Sequence, residues 1–490
     1  MKNFIPSALA ALALAALALA AATGCNSLNP SREGGFVEVS KENPRYFALS
    51  DGSAYIPIGY NLCFPRYWSK LSVEECFAMI ETHMKNIAEN GGNYVRIWAS
   101  HPFYEIEDSR AGAYNPQKLA RLDRFMGLAK KYGIRVKICL EHFRNIKDYK
   151  PAENERGLNS NAFSRPAYDG EFKSMDEYFS SQKGKDFYFN RFKILFDRYG
   201  NDPTVFAWEL WNEQNTVNAN GENVKRWQEE MFARISGVCK KQLVVNSCGS
   251  FDGRGARAAY ERFYKGTANE IAAIHRYLDE GAEYEICKGP LDIAAADAIC
   301  EISKICGGRP ALLAETGAVQ PKHSGAWRFY GADKDGAIFH DAFYVPFFAG
   351  AAGSGQPWHW DVYIYKHKLW RHLKPFASLV EGVNPAGESF KPARCDTKNA
   401  RVYALSGEKT LLAFARDVEN DWKSEFEKGQ KPREISGETV DFSDFARGRK
   451  IARVRAYDLW NGGGASDLAL SPKVKLPAFK RSCAVRIDFE

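Results

Sequence analysis

The eleven cysteines of this chain include no CxxC pair and none of the Cys/His spacings that hold zinc. No metal site is indicated. No Gly-rich phosphate loop follows any apolar run, which excludes the P-loop and dinucleotide-binding classes and weakens a doubly wound open sheet. Runs of Lys and Arg are also missing. The net charge of +7 is spread over 490 residues, so general solvation explains it better than an anionic substrate, and no nucleic-acid surface is indicated. Hydrophobic residues at 45% and charged residues at 26% exclude both a disordered chain and a polytopic membrane protein, and the length allows a large domain plus a smaller one.

The first residues differ from the rest. Lys2 gives a positive start, Ala8 to Ala22 is an apolar run, and it closes on Ala22-Thr23-Gly24-Cys25. A short apolar run ending in small residues reads as a signal peptide, not a spanning helix. The cysteine directly after it resembles a bacterial lipobox, so residues 1–24 are expected to be removed and Cys25 to carry lipid. Ala22 stands where lipoboxes usually have Leu, which keeps ordinary signal cleavage open. The expectation is an exported protein, lipid-anchored to the cell envelope or secreted, with residues 25–35 as a polar tether. Of the later cysteines, Cys139 and Cys248 lie in apolar runs and read as buried thiols, while Cys287, Cys300 and Cys306 are close enough to permit a bridge.

Two apolar segments, 36–39 and 46–49, flank a turn at Asn43-Pro44 and predict a hairpin. Beyond it, short apolar runs alternate with segments of helical period, the mark of βα units. Strands are expected at 55–61, 93–98, 135–143, 205–211, 242–247, 271–277, 310–315 and 350–360. Ser72-x-x-Glu75 is a capping box for a helix that stops at Gly91-Gly92, and Asn115-Pro116 opens another that ends at Tyr132-Gly133. The pattern predicts an α/β fold, a (β/α)8 TIM barrel over residues 36–385, with the longest insertion, Arg144–Lys185, on its catalytic face. After Pro385 short alternating strands at 401–405, 410–415, 453–459 and 484–489 predict a small C-terminal all-β sandwich domain over 395–490.

Barrel active sites lie at the C-terminal ends of the strands. Here the apolar runs deliver Arg96, His142, Glu213, His275, Tyr277, Glu315, Trp358 and Trp360 to one rim. Any one of these is an ordinary solvated strand end; the set in register is not. Two are glutamates, and paired carboxylates about 5–5.5 Å apart suit retaining glycoside hydrolysis. Arg96, permanently charged, is the natural donor for the nucleophile. Glu141 and Glu209 sit inside strand runs and are expected to face the helix layer or join a buried network.

These residues, Trp211-Asn212-Glu213, His275-x-Tyr277, Glu315 and Arg96, together with 47–52 and 57–61 at the start, resemble glycoside hydrolase clan A, most closely family 5, the cellulase and mannanase type. The resemblance implies Glu213 as acid/base, Glu315 as nucleophile and Asn212 as a donor to the sugar 2-hydroxyl. It further implies that Arg96 and Tyr277 orient Glu315, that His142 and His275 line the sugar site, and that a tryptophan of strand eight is the stacking floor. Trp360 is preferred to Trp358 because it ends the run. Trp68, Trp98, Phe103, Tyr104 and Trp327 are candidates for further subsites, though packing is the better explanation of each alone.

The function expected is a retaining hydrolase of a β-linked polysaccharide, β-mannan or β-glucan, needing no cofactor. An exo-acting β-glycosidase of the same clan and a non-catalytic glycan-binding surface lipoprotein are the alternatives. A carbohydrate is the partner expected, and the sequence carries no signal for oligomeric state.

Overall fold

The computed structural model describes residues 35–66, 69–142, 145–146 and 166–490. Cys25, the apolar run before it, residues 26–34 of the tether and Trp68 lie outside the described residues. Strands β1 (Val37–Val39), β2 (Phe47–Leu49) and β3 (Ala54–Tyr55) form the antiparallel sheet that the hairpin pattern predicts. Five parallel strands follow, side by side in chain order: β4 (Gly59–Asn61), β5 (Tyr94–Trp98), β6 (Arg135–Cys139), β7 (Val205–Glu209) and β8 (Leu243–Val245). β9 (Ala272–His275) and β10 (Ala311–Glu315) form a second parallel pair. Side chains bridge the gap between β8 and β9: Val244 N donates to Glu270 Oε2 (2.6 Å) and Asn246 N to Asn269 Oδ1 (3.2 Å).

The eighth stave differs from expectation. Residues 350–360 form no regular strand, since the run is rich in glycine and Pro357 lacks a donor. A Cβ on Gly353 would strike Pro57, and one on Gly355 the carbonyl of Ala342. The segment nevertheless closes the ring through its backbone. Ala352 and Gln356 donate to Ala311 and Leu313 on one side, both at 2.9 Å, and Asn61 donates to Pro357 on the other at 3.1 Å.

Helices cover the outside. α1 (Val73–Glu89) carries the full Ser72/Glu75 capping box, and α2 (Pro116–Lys131) is capped by Asn115 with proline in its first turn. The Arg144–Lys185 segment is not one long loop. It holds α3 (Met175–Ser180) and the start of α4 (Gln182–Tyr199), while 147–165 lie outside the described residues. α5 (Gly221–Val238), α6 (Ala256–Tyr264) and α7 (Leu291–Ile305) follow. α8 (Ala337–Phe348) is buried at every position. A helix buried all round must be covered on every side; α7 covers part of it and strands of the C-terminal β-structure another part.

That structure begins at β11 (Lys391–Arg394), slightly before the expected boundary, and continues through β12 (Ala400–Ser406) and β13 (Thr410–Asp417). With β16 (Ile451–Tyr457), β17 (Ala465–Asp467) and β20 (Ser482–Phe489) these make one antiparallel sheet, ordered β11-β12-β13-β20-β16-β17. The intervening short strands β14 (Glu434–Ile435), β15 (Thr439–Asp441), β18 (Lys473–Lys475) and β19 (Phe479–Lys480) pair as β14–β19 and β15–β18. Period two decides what each face does. Val402, Leu411, Ala413 and Val485 pack with Val440 and Val474 of the small pairs, whereas Tyr403, Leu412 and Phe414 join the main core. Arg416 reaches back to Asp341 of α8 (2.9 Å) and Arg401 to Asp292 of α7 (2.7 Å). All ten cysteines from Cys63 onward are free thiols, so Cys287, Cys300 and Cys306 form no bridge. Among the described residues no helix is long and apolar enough to cross a membrane.

Candidate active site

Register builds the site. Asn61, Arg96 and Lys137 are direct neighbours across β4, β5 and β6, and all three are buried. Charged groups can occupy a barrel interior only if paired, and the partners come from other staves of the ring. Arg96 donates from Nε and Nη2 to both oxygens of Glu209 (2.7 and 2.8 Å). Its Nη1 donates to Glu315 Oε1 (2.5 Å), and Nη2 also reaches Asn212 Oδ1 (2.7 Å). Lys137 lies 3.5 Å from Glu209, and Ser247 Oγ donates to it at 2.7 Å. Those donors hold the Glu209 carboxyl at about 2 despite burial. One planar fork thus fixes two carboxylates and an amide, which an ammonium could not do.

Glu315 ends β10. Its second oxygen accepts from Tyr277 Oη at 2.8 Å. Glu213 lies two residues past the end of the Trp208-Glu209-Leu210-Trp211 run, in the left-handed region at φ 51°, ψ 48°. That conformation costs a non-glycine residue about 1–3 kcal/mol, and such strain clusters at functional sites. Its amide donates to Ser247 Oγ (3.1 Å), and its Oε1 lies 2.9 Å from His275 Nδ1. Burial dominates Glu213 and pushes its carboxyl from 4.5 up to about 7, with His323 and Arg96 pulling the other way. His275, also buried, is pushed down to about 4 and is neutral at pH 7. One carboxylate oxygen of Glu213, one of Glu315 and a His275 ring nitrogen all lie within 4.8 Å of one another.

A cleft of about 1040 Å³ opens over the pair, lined by Phe64, Trp98, Asn212, Tyr277, Trp358 and Trp360 among others. Among the described residues Asn212 Nδ2 has no hydrogen-bond partner. Several expected positions turn out differently. His142 is fully buried, beneath Trp98 in a ring stack at 4.8 Å and 2.7 Å from Ser100 Oγ, and His275 lies behind the two glutamates; neither lines the cleft. Both tryptophans line the cleft, but Trp360 is 2% exposed and donates its indole N–H to Phe64 O (3.0 Å), whereas Trp358 is only partly buried and offers the more open face. Phe103, Tyr104 and Trp327 are core residues. Glu141 joins a buried pair with Arg191 (3.2 Å). Sequence reasoning missed Lys137, whose signal is a lysine between Val136 and Ile138 in a strand. It also missed Asp252, Asp279 and His323 on the cleft wall, which come from loops and carry no periodic signal.

Two carboxylates at the C-terminal mouth of an α/β barrel, one held by arginine and tyrosine and the other left to its burial, are the arrangement of a glycoside hydrolase. The chain belongs to glycosyl hydrolase family 5: the cellulase model of that family matches residues 53–325. It is 27% identical over 245 residues to mannan endo-1,4-beta-mannosidase 4 of Oryza sativa subsp. japonica, covering 44% of this chain and 50% of that protein. Mannan endo-1,4-beta-mannosidase 7 of Arabidopsis thaliana is 27% identical over 237 residues, covering 46% and 51%. The chain spans about half the length of the curated relatives it matches. A solved glycoside hydrolase family 5 protein from Bacteroides vulgatus ATCC 8482 shares the fold, with a TM-score of 0.58 at 13% identity over 93% of this chain and 92% of that one.

Proposed function

We propose that this protein hydrolyses β-mannan with retention of configuration, by double displacement between Glu315 and Glu213. The observation that carries the reading is the approach of the two carboxyls within 4.8 Å in opposite electrostatic settings. Retaining enzymes hold the pair about 5–5.5 Å apart, and inverting ones leave room for a water. Glu315 attacks the anomeric carbon as Glu213 gives its proton to the departing glycosidic oxygen, and a covalent glycosyl ester results. Glu213, now ionised, takes a proton from water, which releases the sugar and restores both groups. Asn212 Nδ2 is placed to donate to the sugar 2-hydroxyl, Arg96 and Tyr277 hold Glu315, and Trp358 offers the stacking face. Mannan is favoured over glucan because the matched curated relatives are mannan endo-1,4-beta-mannosidases. An exported, Cys25-lipidated form remains part of the proposal, and mass spectrometry of the native N-terminus tests it.

The decisive experiment is ¹H NMR of the anomeric proton during the first minutes of mannan-oligosaccharide hydrolysis. The β-anomer should appear first. An initial α-product would mean inversion and remove Glu315 as nucleophile. Early product sizes separate mid-chain from end-wise cleavage.

A further inference from the structure

A second polar constellation lies on the same cleft wall, on the loops after β8, β9 and β10. His323 Nε2 faces two carboxylate oxygens, Asp252 Oδ2 at 3.0 Å and Asp279 Oδ2 at 3.6 Å, and the three ligand atoms all lie within 4.8 Å of one another. Asp279 is 1% exposed. Its Oδ1 is fixed by the backbone N–H groups of Gly281 (2.7 Å) and Lys322 (3.0 Å). Among the described residues its Oδ2, thereby aimed at His323, meets no hydrogen-bond donor. The loops leave little slack: a Cβ on Gly281 would come within 2.7 Å of Lys322 N, and Lys322 and His323 both have positive φ, 58° and 56°.

Nε2 of an imidazole carries at most one hydrogen, so protonated His323 can satisfy Asp252 or Asp279 but not both. A buried carboxylate oxygen without a donor is costly. A divalent ion can bind all three atoms at once. With bonds of about 2.0–2.2 Å at tetrahedral or octahedral angles, ligand atoms fall roughly 3–3.5 Å apart, close to the 3.0 and 3.6 Å from His323 to the two carboxylates. We propose that Asp252, Asp279 and His323 form a binding site for a divalent transition cation, of the zinc or manganese class. Two carboxylates and one imidazole suit those ions. The set supplies three ligands, which leaves further coordination positions for water or a substrate hydroxyl.

Manganese(II) is the right probe, because the exposed thiol of Cys300 would compete for zinc. Chelator-treated full-length protein is titrated with manganese chloride at pH 7.5, and free ion is read by its electron paramagnetic resonance signal. One saturable site is expected, weakened at least about 10-fold by His323→Gln and by Asp279→Asn. Asp252→Asn, at the more exposed rim, should do the same and covers the case in which Asp279→Asn fails to fold. Glu213→Gln should leave binding intact. That control matters because Glu213, His275 and Glu315 also converge. No saturable binding up to millimolar manganese, or binding that survives the His323 and Asp252 changes and disappears with Glu213→Gln, would overturn the assignment. Neither result bears on the hydrolase reading.

Discussion

Glu213→Gln should abolish turnover on natural substrates yet stabilise the protein at alkaline pH. The amide keeps the shape of the side chain and removes its titration. In the folded chain burial raises the Glu213 carboxyl to about 7 from an ordinary 4.5, so the native state binds the proton more tightly than the unfolded state. The stability this contributes is fully present below about 4.5 and is lost as pH rises through 7. The shift corresponds to a loss of up to about 3 kcal/mol between pH 4.5 and pH 8. With its side chain 18% exposed, Glu213 keeps some solvation, which makes that figure an upper bound. His323 is coupled to Glu213, each favouring the charged form of the other, so part of the difference between the two proteins belongs to that pair. Urea unfolding of wild type and variant at pH 5 and pH 8 measures the effect. The variant should gain about 2–3 kcal/mol on the wild type between the two. The same carboxyl must be protonated to act as an acid, so wild-type kcat/KM should fall above pH 7, tenfold per unit. Parallel stability curves for the two proteins, together with an alkaline limb of activity centred below pH 6, would refute the argument that burial governs Glu213.

Arg96→Lys keeps the charge but loses the fork that holds Glu209, Glu315 and Asn212 together. It should cost about 10²–10³ in kcat/KM, and a wild-type rate would show that the fork is dispensable. Glu315→Ala should abolish turnover, while Glu213→Ala should cleave aryl mannosides with good leaving groups slowly and be rescued by azide with retained configuration; rescue of the Glu315 variant to a same-anomer product would exchange the roles. Trp358→Ala should weaken substrate binding with little change in Tm, whereas Trp360→Ala should destabilise by about 3–5 kcal/mol, since it empties a buried site and leaves Phe64 O without its donor. Equal Tm values for those two variants would contradict their different exposures.

Much of the barrel was legible because βα units repeat one contrast, short apolar runs against helical period, and because the helix ends at Ser72 and Asn115 carry their capping chemistry in the side chains. The eighth stave was not. Gly350 to Gly355 reads as an apolar run, but glycine marks where two neighbours press against the backbone, and that proximity is a tertiary fact. The small strands of the second C-terminal layer are two or three residues long, too short for period two to declare itself.

For the site, the sequence could say which residues end a strand but not which way a chain turns once the strand has ended. Glu209 and Glu213 illustrate this: the first, still in the ladder, points inward to Arg96, and the second reaches His275 only because its backbone turns left-handed. The same device acts at His359, whose φ of 57° breaks the alternation between Trp358 and Trp360 and sets their rings 77° apart. A rule that counts positions along a strand fails at such a residue, and there the preference for Trp360 over Trp358 gave way. The buried histidines have a different cause. A polar group at the rim is open to the cleft only if nothing lies over it; His142 has Trp98 stacked upon it, and His275 sits behind the two glutamates. What is covered orients, and what covers it meets the substrate. The chemistry at this mouth therefore rests on an inner layer, Arg96, Glu209, Lys137 and His275, whose hydrogen bonds hold Glu315 and Glu213 in place while burial raises the Glu213 carboxyl.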